Sequence, residues 1–205
     1  MRASKIAIIF LGRPGSGKDT QAELLAKKFG LVHLISSKLI EKVLKSRGKN
    51  IELEGKIYNL EKERRLQRSG FLNTPEFVSA LVKFEIIRMA KSGYGIIMSG
   101  SPRTLGELKD ELPLLDKLYG KNIFFFQVII SPREVFIRNL KRQRKDLPEL
   151  DTRKMIKKRL AVFMKDTWPV IKYLKSKKMI IDINGEQKIM KIHKDILNKL
   201  LLTRR

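Results

Sequence analysis

The stretch from Gly12 to Gln21, GRPGSGKDTQ, follows the apolar run IAIIFL and places two glycines and a lysine at the spacing Gly12-x4-Gly17-Lys18. That spacing suits the cradling of a phosphate. Glycines let successive backbone N–H groups turn toward one anion, and the start of the following helix adds partial positive charge. Gly12, Pro14, Gly15, Ser16 and Gly17 would form the cradle, and the Lys18 ammonium can reach the β and γ oxygens of a nucleoside triphosphate. The residue after the lysine is Asp19, where a hydroxyl that meets Mg²⁺ is usual; here the hydroxyl comes one residue later, at Thr20. An acid in a first helical turn suits the helix dipole. It also lies close enough to phosphates either to repel them or to help hold Mg²⁺.

The elements that must position this loop read as an alternation of strands and helices. Residues 5–12, KIAIIFLG, form a near-continuous apolar run, the mark of a buried parallel strand. KDTQAELLAKKFG has helical spacing and closes on Gly30 as a C-cap. LVHLIS, GIIMSG, NIFFFQVII and MIIDING supply four more strands. Between them, TPEFVSALVKFEIIRMAKSG starts a helix with Thr74 as cap and Pro75 at its first position. SPREVFIRNLKRQRKD does the same with Ser131 and Pro132. LGELKDELPLLDKLYG is a helix that Pro113 is expected to disturb, and EQKIMKIHKDILNKLLL closes the chain. The pattern predicts an α/β fold, a parallel five-stranded sheet of P-loop NTPase type with helices on both faces. Residues 36–70 are strongly charged and lack strand signals, so they are expected to form a helical insert.

Composition limits the function classes. At 205 residues and 42% hydrophobic, the chain can bury one domain's core with a small insert. No apolar run approaches the ~18 residues that span a bilayer. The basic, apolar start lacks a small-residue cleavage site and leads into the glycine loop, so it reads as a strand and not a signal peptide. With no cysteine, disulfides and thiolate chemistry are excluded. His33 and His193 are far apart and suggest neither a metal site nor catalysis, and Trp168 before Pro169 is expected to pack at a helix junction. The expectation is a monomeric cytoplasmic protein without a membrane partner. The net charge of +24 also allows weak association with RNA or other polyanions.

Several segments, in order along nearly the whole chain, resemble adenylate kinases and related nucleoside monophosphate kinases. GRPGSGKDTQ is similar to that family's loop, with Asp19 in place of a glycine. HLISSKLIE resembles the segment that opens the acceptor insert, Ser36 matching a threonine. SGFLNTPEF resembles the segment bordering the acceptor base, which puts Gly70, Leu72 and Asn73 near it. SGSPRTLGE matches a Gly-x-Pro-Arg-Thr motif through Gly100, Pro102, Arg103 and Thr104, and REVFIRNLKRQRKD and IKKRLAVF match the basic stretches around the lid. The resemblance implies a core of residues 1–35 and 71–205, an acceptor insert of 36–70 and a short lid of 143–151. It implies ATP and a nucleoside monophosphate as substrates with Mg²⁺ as cofactor. Arg138 would stack on the ATP base, Arg142 would contact phosphates, and Arg159 would be the last phosphate-facing arginine. Arg144 is preferred as the lid arginine because the role needs a cation; an ungapped alignment puts Pro148 there instead, with Asp151 at one of the family's aspartates.

The departures from the family are specific. Glu41 stands where an arginine holds the acceptor phosphate, a job that a carboxylate cannot do; Lys38, Lys42, Lys45 and Arg47 are the nearby substitutes. Ser99 replaces an aspartate that helps hold hydrated Mg²⁺, Ser101 replaces a phenylalanine, and Glu107 replaces a glutamine that reads adenine. An ionised glutamate only accepts hydrogen bonds, so if it faces the pocket it would weaken the case for AMP and permit GMP. Thr20, Asp19 or Asp146 would then hold the metal's waters. Phosphoryl transfer needs in-line positioning and neutralised charge, not covalent protein chemistry, and Lys18, Arg103, Arg142, Arg144 and Arg159 would supply the cations. The competing expectations are a degenerate relative that binds nucleotide or RNA with little turnover, and a kinase with a shifted acceptor base.

Overall fold

The structure, a computed structural model, describes residues 5–142 and 148–203. Strand β1 (Ala7–Gly12) leads into helix α1 (Lys18–Phe29), followed by β2 (Val32–Ile35) and α2 (Ser36–Leu44). A hairpin, β3 (Asn50–Leu53) and β4 (Lys56–Asn59), precedes α3 (Leu60–Arg68) and α4 (Pro75–Lys91). Then come β5 (Ile96–Ser99), α5 (Leu105–Tyr119), β6 (Ile123–Ile129) and α6 (Pro132–Arg142). A 3₁₀ turn at Pro148–Asp151 opens α7 (Arg153–Val162), and a π turn at Phe163–Thr167 runs on into α8 (Trp168–Ser176). The chain closes with β7 (Ile180–Asn184) and α9 (Ile189–Thr203).

The main sheet has the order β2-β5-β1-β6-β7 with all pairings parallel. β1 is apolar throughout because both of its faces are covered. Ala7, Ile9 and Leu11 pack with residues of α4, α5 and α8, while Ile6, Ile8 and Phe10 pack with residues of α1 and α9. β1 pairs with β5 on one side and β6 on the other, so the connections leaving the ends of these strands diverge. A crevice opens at the carboxyl ends of the strands at such a switch point. Gly30 caps α1 in the left-handed conformation as the sequence predicts. Among the described residues, no helix is long and apolar enough to cross a membrane.

Three expectations about local structure need correction. Residues 36–70 are not wholly helical, since β3 and β4 pair antiparallel there and IYN belongs to β4. The turn is Glu54-Gly55, both residues at positive φ, the two-residue hairpin geometry usually signalled by Asn-Gly or Asp-Gly. Glu54 is tied to α4 by an ion pair to Lys83 at 2.8 Å, and Ile51, Leu53 and Tyr58 pack on the core. Pro113 does not break α5, because it and Lys109, the residue whose carbonyl it leaves without a donor, both face solvent. Thr74 starts α4 without a side-chain cap, since its hydroxyl and backbone N–H both donate to the buried Glu63 carboxylate. Glu63 also accepts from the Asn73 amide at 2.9 Å, which ties the first turn of α3 to the start of α4.

Candidate active site

The connections that leave β1, β5 and β6 meet over an open cleft whose cavity is ≈ 220 Å³. Its floor is the loop after β1. Gly12 is in register with Val128 of β6, and a Cβ on Gly12 would lie 2.6 Å from the Val128 carbonyl and 2.8 Å from Ser16 Oγ. Gly15 and Gly17 have φ of 79° and 89°. Those left-handed residues curl the backbone into α1 at low cost only for glycine. Ser16 is buried at the loop's centre with its hydroxyl unpaired.

Gly12, Pro14, Gly15, Lys18 and Asp19 line the cleft; Ser16 and Gly17 lie behind it, and Thr20 is exposed on α1. From the other elements come Gly70, Leu72, Asn73, Gly100, Arg103, Arg142 and Arg159. Sequence reasoning and geometry thus bring the same four cations, Lys18, Arg103, Arg142 and Arg159, to one cavity. The π turn adds Phe163 and Thr167, and the 3₁₀ turn adds Leu150. Burial lowers the Lys18 pKa most; Asp19 opposes that effect, and Arg103, Arg159 and Arg142 reinforce it. Asp19, 4.0 Å from Lys18 Nζ, is held below the usual carboxylate range first by that ammonium, against the effect of its own burial.

Other expected residues stand elsewhere. Ser36 is buried against Gly100, where an added Cβ would meet its Oγ at 2.5 Å and Arg103 at 2.9 Å. Arg138 does not line the cleft. It pairs with Glu134 at 2.6 Å and donates to the Gly185 carbonyl at 2.8 Å and the Ser16 carbonyl at 3.4 Å, bracing the loop from outside. Glu41 pairs with Lys45, and none of Lys38, Lys42, Lys45 and Arg47 lines the cleft. Arg144 and Asp146 lie outside the described residues.

Glu107 faces the interior. Its carboxylate accepts from the Arg103 N–H at 2.8 Å and contacts Ser101 Oγ at 3.0 Å, and its own N–H donates to Thr104 Oγ1 at 3.1 Å. The physical reason is the small Ser101, which shares its hydroxyl between Glu107 and Glu111 (2.5 Å). One hydroxyl proton cannot satisfy two carboxylates, so one carboxyl keeps its proton. Burial, then the charge of Glu107, raise the Glu111 pKa well above its ordinary value. The folded state therefore binds a proton that the unfolded chain releases above a pH of about 4.3, and stability falls as pH rises from there toward the folded pKa. Glu111→Gln is expected to flatten that fall, its stability relative to the parent growing by ~1 kcal/mol per pH unit across this window. Thermal melts at pH 5, 6, 7 and 8 measure it, and a constant difference between the two proteins would count against the shared proton.

Asn139 was missed by sequence reasoning. Fully buried on α6, it donates to the Pro14 carbonyl at 3.1 Å and the Val135 carbonyl at 2.7 Å, and accepts from Arg159 at 3.4 Å. Its amide lies where a Gly15 Cβ would stand, at 2.5 Å. It joins the phosphate loop to the arginine of α7. A single asparagine four residues after Val135 on a basic helix gives no signal of this in sequence.

Comparison with known proteins agrees with the cleft. The family model described as Adenylate kinase matches residues 10–179. The chain belongs to the adenylate kinase family. It is 32% identical over 196 residues to an adenylate kinase of Prochlorococcus marinus (strain AS9601), covering 94% of this chain and 97% of that one. Adenylate kinase 1 of Nostoc sp. is 29% identical over 88% of this chain and 90% of its own. Human adenylate kinase isoenzyme 5 is 30% identical over 91% of this chain and 31% of its own length. As an adenylate kinase homologue the chain is a nucleoside monophosphate kinase, a phosphotransferase.

Proposed function

We propose that the protein transfers the γ-phosphoryl group of ATP reversibly to AMP, giving two ADP. The observation that carries this reading is the convergence of Lys18, Arg103, Arg142 and Arg159 on one cleft floored by a glycine-rich loop. The transferring group carries spread negative charge and needs positioned cations more than a covalent partner. Lys18 would bridge the β and γ phosphates. Arg142 and Arg159, from α6 and α7, would hold the donor phosphates, with Asn139 keeping Arg159 in step with the loop. Arg103, against the start of α2 and Gly100, would bind the acceptor phosphate, a job that Glu41 cannot take. Leu72 and Asn73 would border the acceptor base. Residues 36–70 would act as the acceptor insert and 143–151 as the lid, whose closure excludes water so that ATP is not hydrolysed.

Mg²⁺ would enter with ATP. Among the described residues there is no group of three His, Cys, Asp or Glu side chains able to enclose a metal. An ion held mainly by phosphates and water would need few protein ligands, and Asp19, which lines the cleft at the first turn of α1, would be the residue to hold its waters, whereas Thr20 lies outside the cleft lining. The ion would neutralise charge on the phosphates.

Because Glu107 turns into the core, no acceptor-only group from that position meets the base, and the argument from Glu107 against AMP falls away. A coupled assay of ADP formation with AMP, GMP, CMP and UMP tests the proposal. AMP is expected to give the highest kcat/KM. Intact ATP binding with no product from any of the four acceptors would overturn it.

A further inference from the structure

Among the described residues lining the cleft, Asp19 is the one acid beside four cations. Its side chain is 46% exposed and stands at the entry of α1, next to the lysine that would meet phosphates. A bare carboxylate there opposes every phosphate the loop attracts, unless a cation lies between them. The carboxylate leans toward Lys18, and the buried Ser99 hydroxyl, at the end of β5, also favours its anion. His33 of β2 reaches the same hydroxyl, Nε2 to Oγ at 2.9 Å. β2 and β5 are neighbours, with His33 and Ser99 two register positions apart. When Nε2–H donates to Ser99 Oγ, the Ser99 hydroxyl proton is free to turn toward a neighbouring acceptor, and Asp19 is the acid on that side. The other charged groups that act on His33 are Lys38 and Glu23, and Arg103 acts on Asp19.

We propose that Asp19 is the cleft's contact for the divalent cation that accompanies a nucleoside triphosphate, and that His33, acting through Ser99, is the positioning residue that aims this carboxylate. The inference rests on the kinase reading only for ATP as the ligand. Asp19 holds waters of the ion from the α1 side, while Ser99 and His33 limit its rotation. His33 is thus a part of the site, although nothing in its sequence surroundings marks it.

The test is ATP binding by calorimetry, with Mg²⁺, with Mn²⁺ and with chelator, on the parent, Asp19→Asn, His33→Leu and His33→Gln. Glutamine can still donate an N–H to Ser99. In Asp19→Asn, metal-free ATP is expected to bind about tenfold tighter than in the parent as the repulsion is lost, and the gain on adding Mg²⁺ is expected to shrink about tenfold. His33→Leu should lower the Mg²⁺ gain in the same direction by a smaller factor, and His33→Gln should restore it. An unchanged Mg²⁺ gain in Asp19→Asn overturns the metal assignment. Equal weakening with and without metal in His33→Leu, or no recovery in His33→Gln, overturns the positioning role. A parent that binds ATP with a Mg²⁺ gain but phosphorylates no acceptor sinks the kinase reading and leaves this one standing. Asp19 is half exposed in a first helical turn, so its amide variant keeps the fold, and a thermal melt of each variant checks this.

Discussion

Lys18→Met is expected to lower kcat for phosphoryl transfer about 10³-fold, the loss typical of removing one preorganised charge from a transition state. Thermal stability should stay the same or rise. Both outcomes follow from the surroundings of the ammonium. Burial disfavours its charged form, and Arg103, Arg159 and Arg142 repel it, with Asp19 as its opposing charge. The apo protein therefore holds a cation that it would be easier without, and the phosphates are what compensate for it. Methionine keeps the length and apolar stem of the side chain. Kinetics with saturating ATP and acceptor, beside a thermal melt, measure the two effects. A variant that melts several degrees lower would show that Lys18 supports the fold, against the repulsion described. A rate within tenfold of the parent would remove Lys18 from the chemistry.

Gly12→Ala is expected to cost ~2–4 kcal/mol of stability and to abolish measurable ATP binding. Gly12 has φ 151° and stands where β1 ends. Its added Cβ meets the Val128 carbonyl, a backbone atom of the strand it pairs with, at 2.6 Å. Neither atom can yield without opening the central ladder. Gly17→Ala supplies the contrast. That residue also has positive φ, but the nearest atom to an added Cβ is Arg138 Nη1 at 3.9 Å, so only the left-handed strain remains, ~1–2 kcal/mol. For a chain of this size ~2–4 °C of melting temperature corresponds to each kcal/mol. The two variants should therefore separate clearly in a melt, Gly12→Ala lower. Equal melting points would mean that the loop relaxes around Gly12 and that close approach to β6 is not its constraint.

Much of this protein is legible without a structure. The inner strands β1, β5 and β6 show in their apolar runs, because the middle of a parallel sheet is covered on both faces and leaves no polar side to mask the signal, and the edge strands β2 and β7 show more weakly in shorter runs. The phosphate loop shows because its glycines answer a local backbone demand and its lysine follows at fixed spacing. Lys18, Arg103, Arg142 and Arg159 could be named in advance because each lies just past a strand end or on a basic helix turn within a motif. The β3–β4 hairpin did not show, since its turn is Glu-Gly and its strands are half polar, and they are stabilised by packing on α4. Glu107 misled for a related reason. Its position in the motif points at a base, but the space left by Ser101 and the Arg103 N–H draws it inward beside Glu111.

What sequence alone determined, then, is the strands of the main sheet, most of the helices and the cations carried at their ends, since strand burial, helix starts and glycine turns are encoded within a few residues of each position. Only the tertiary structure decided which polar groups meet across elements. Asn139 reaching Pro14 and Arg159, Ser101 shared by two glutamates, and His33 reaching Ser99 join residues 66 or more positions apart in some cases and 6, 10 or 20 in others. Those pairings depend on strand order and helix packing. A hydrogen bond between distant residues leaves no periodic mark in the chain that makes it.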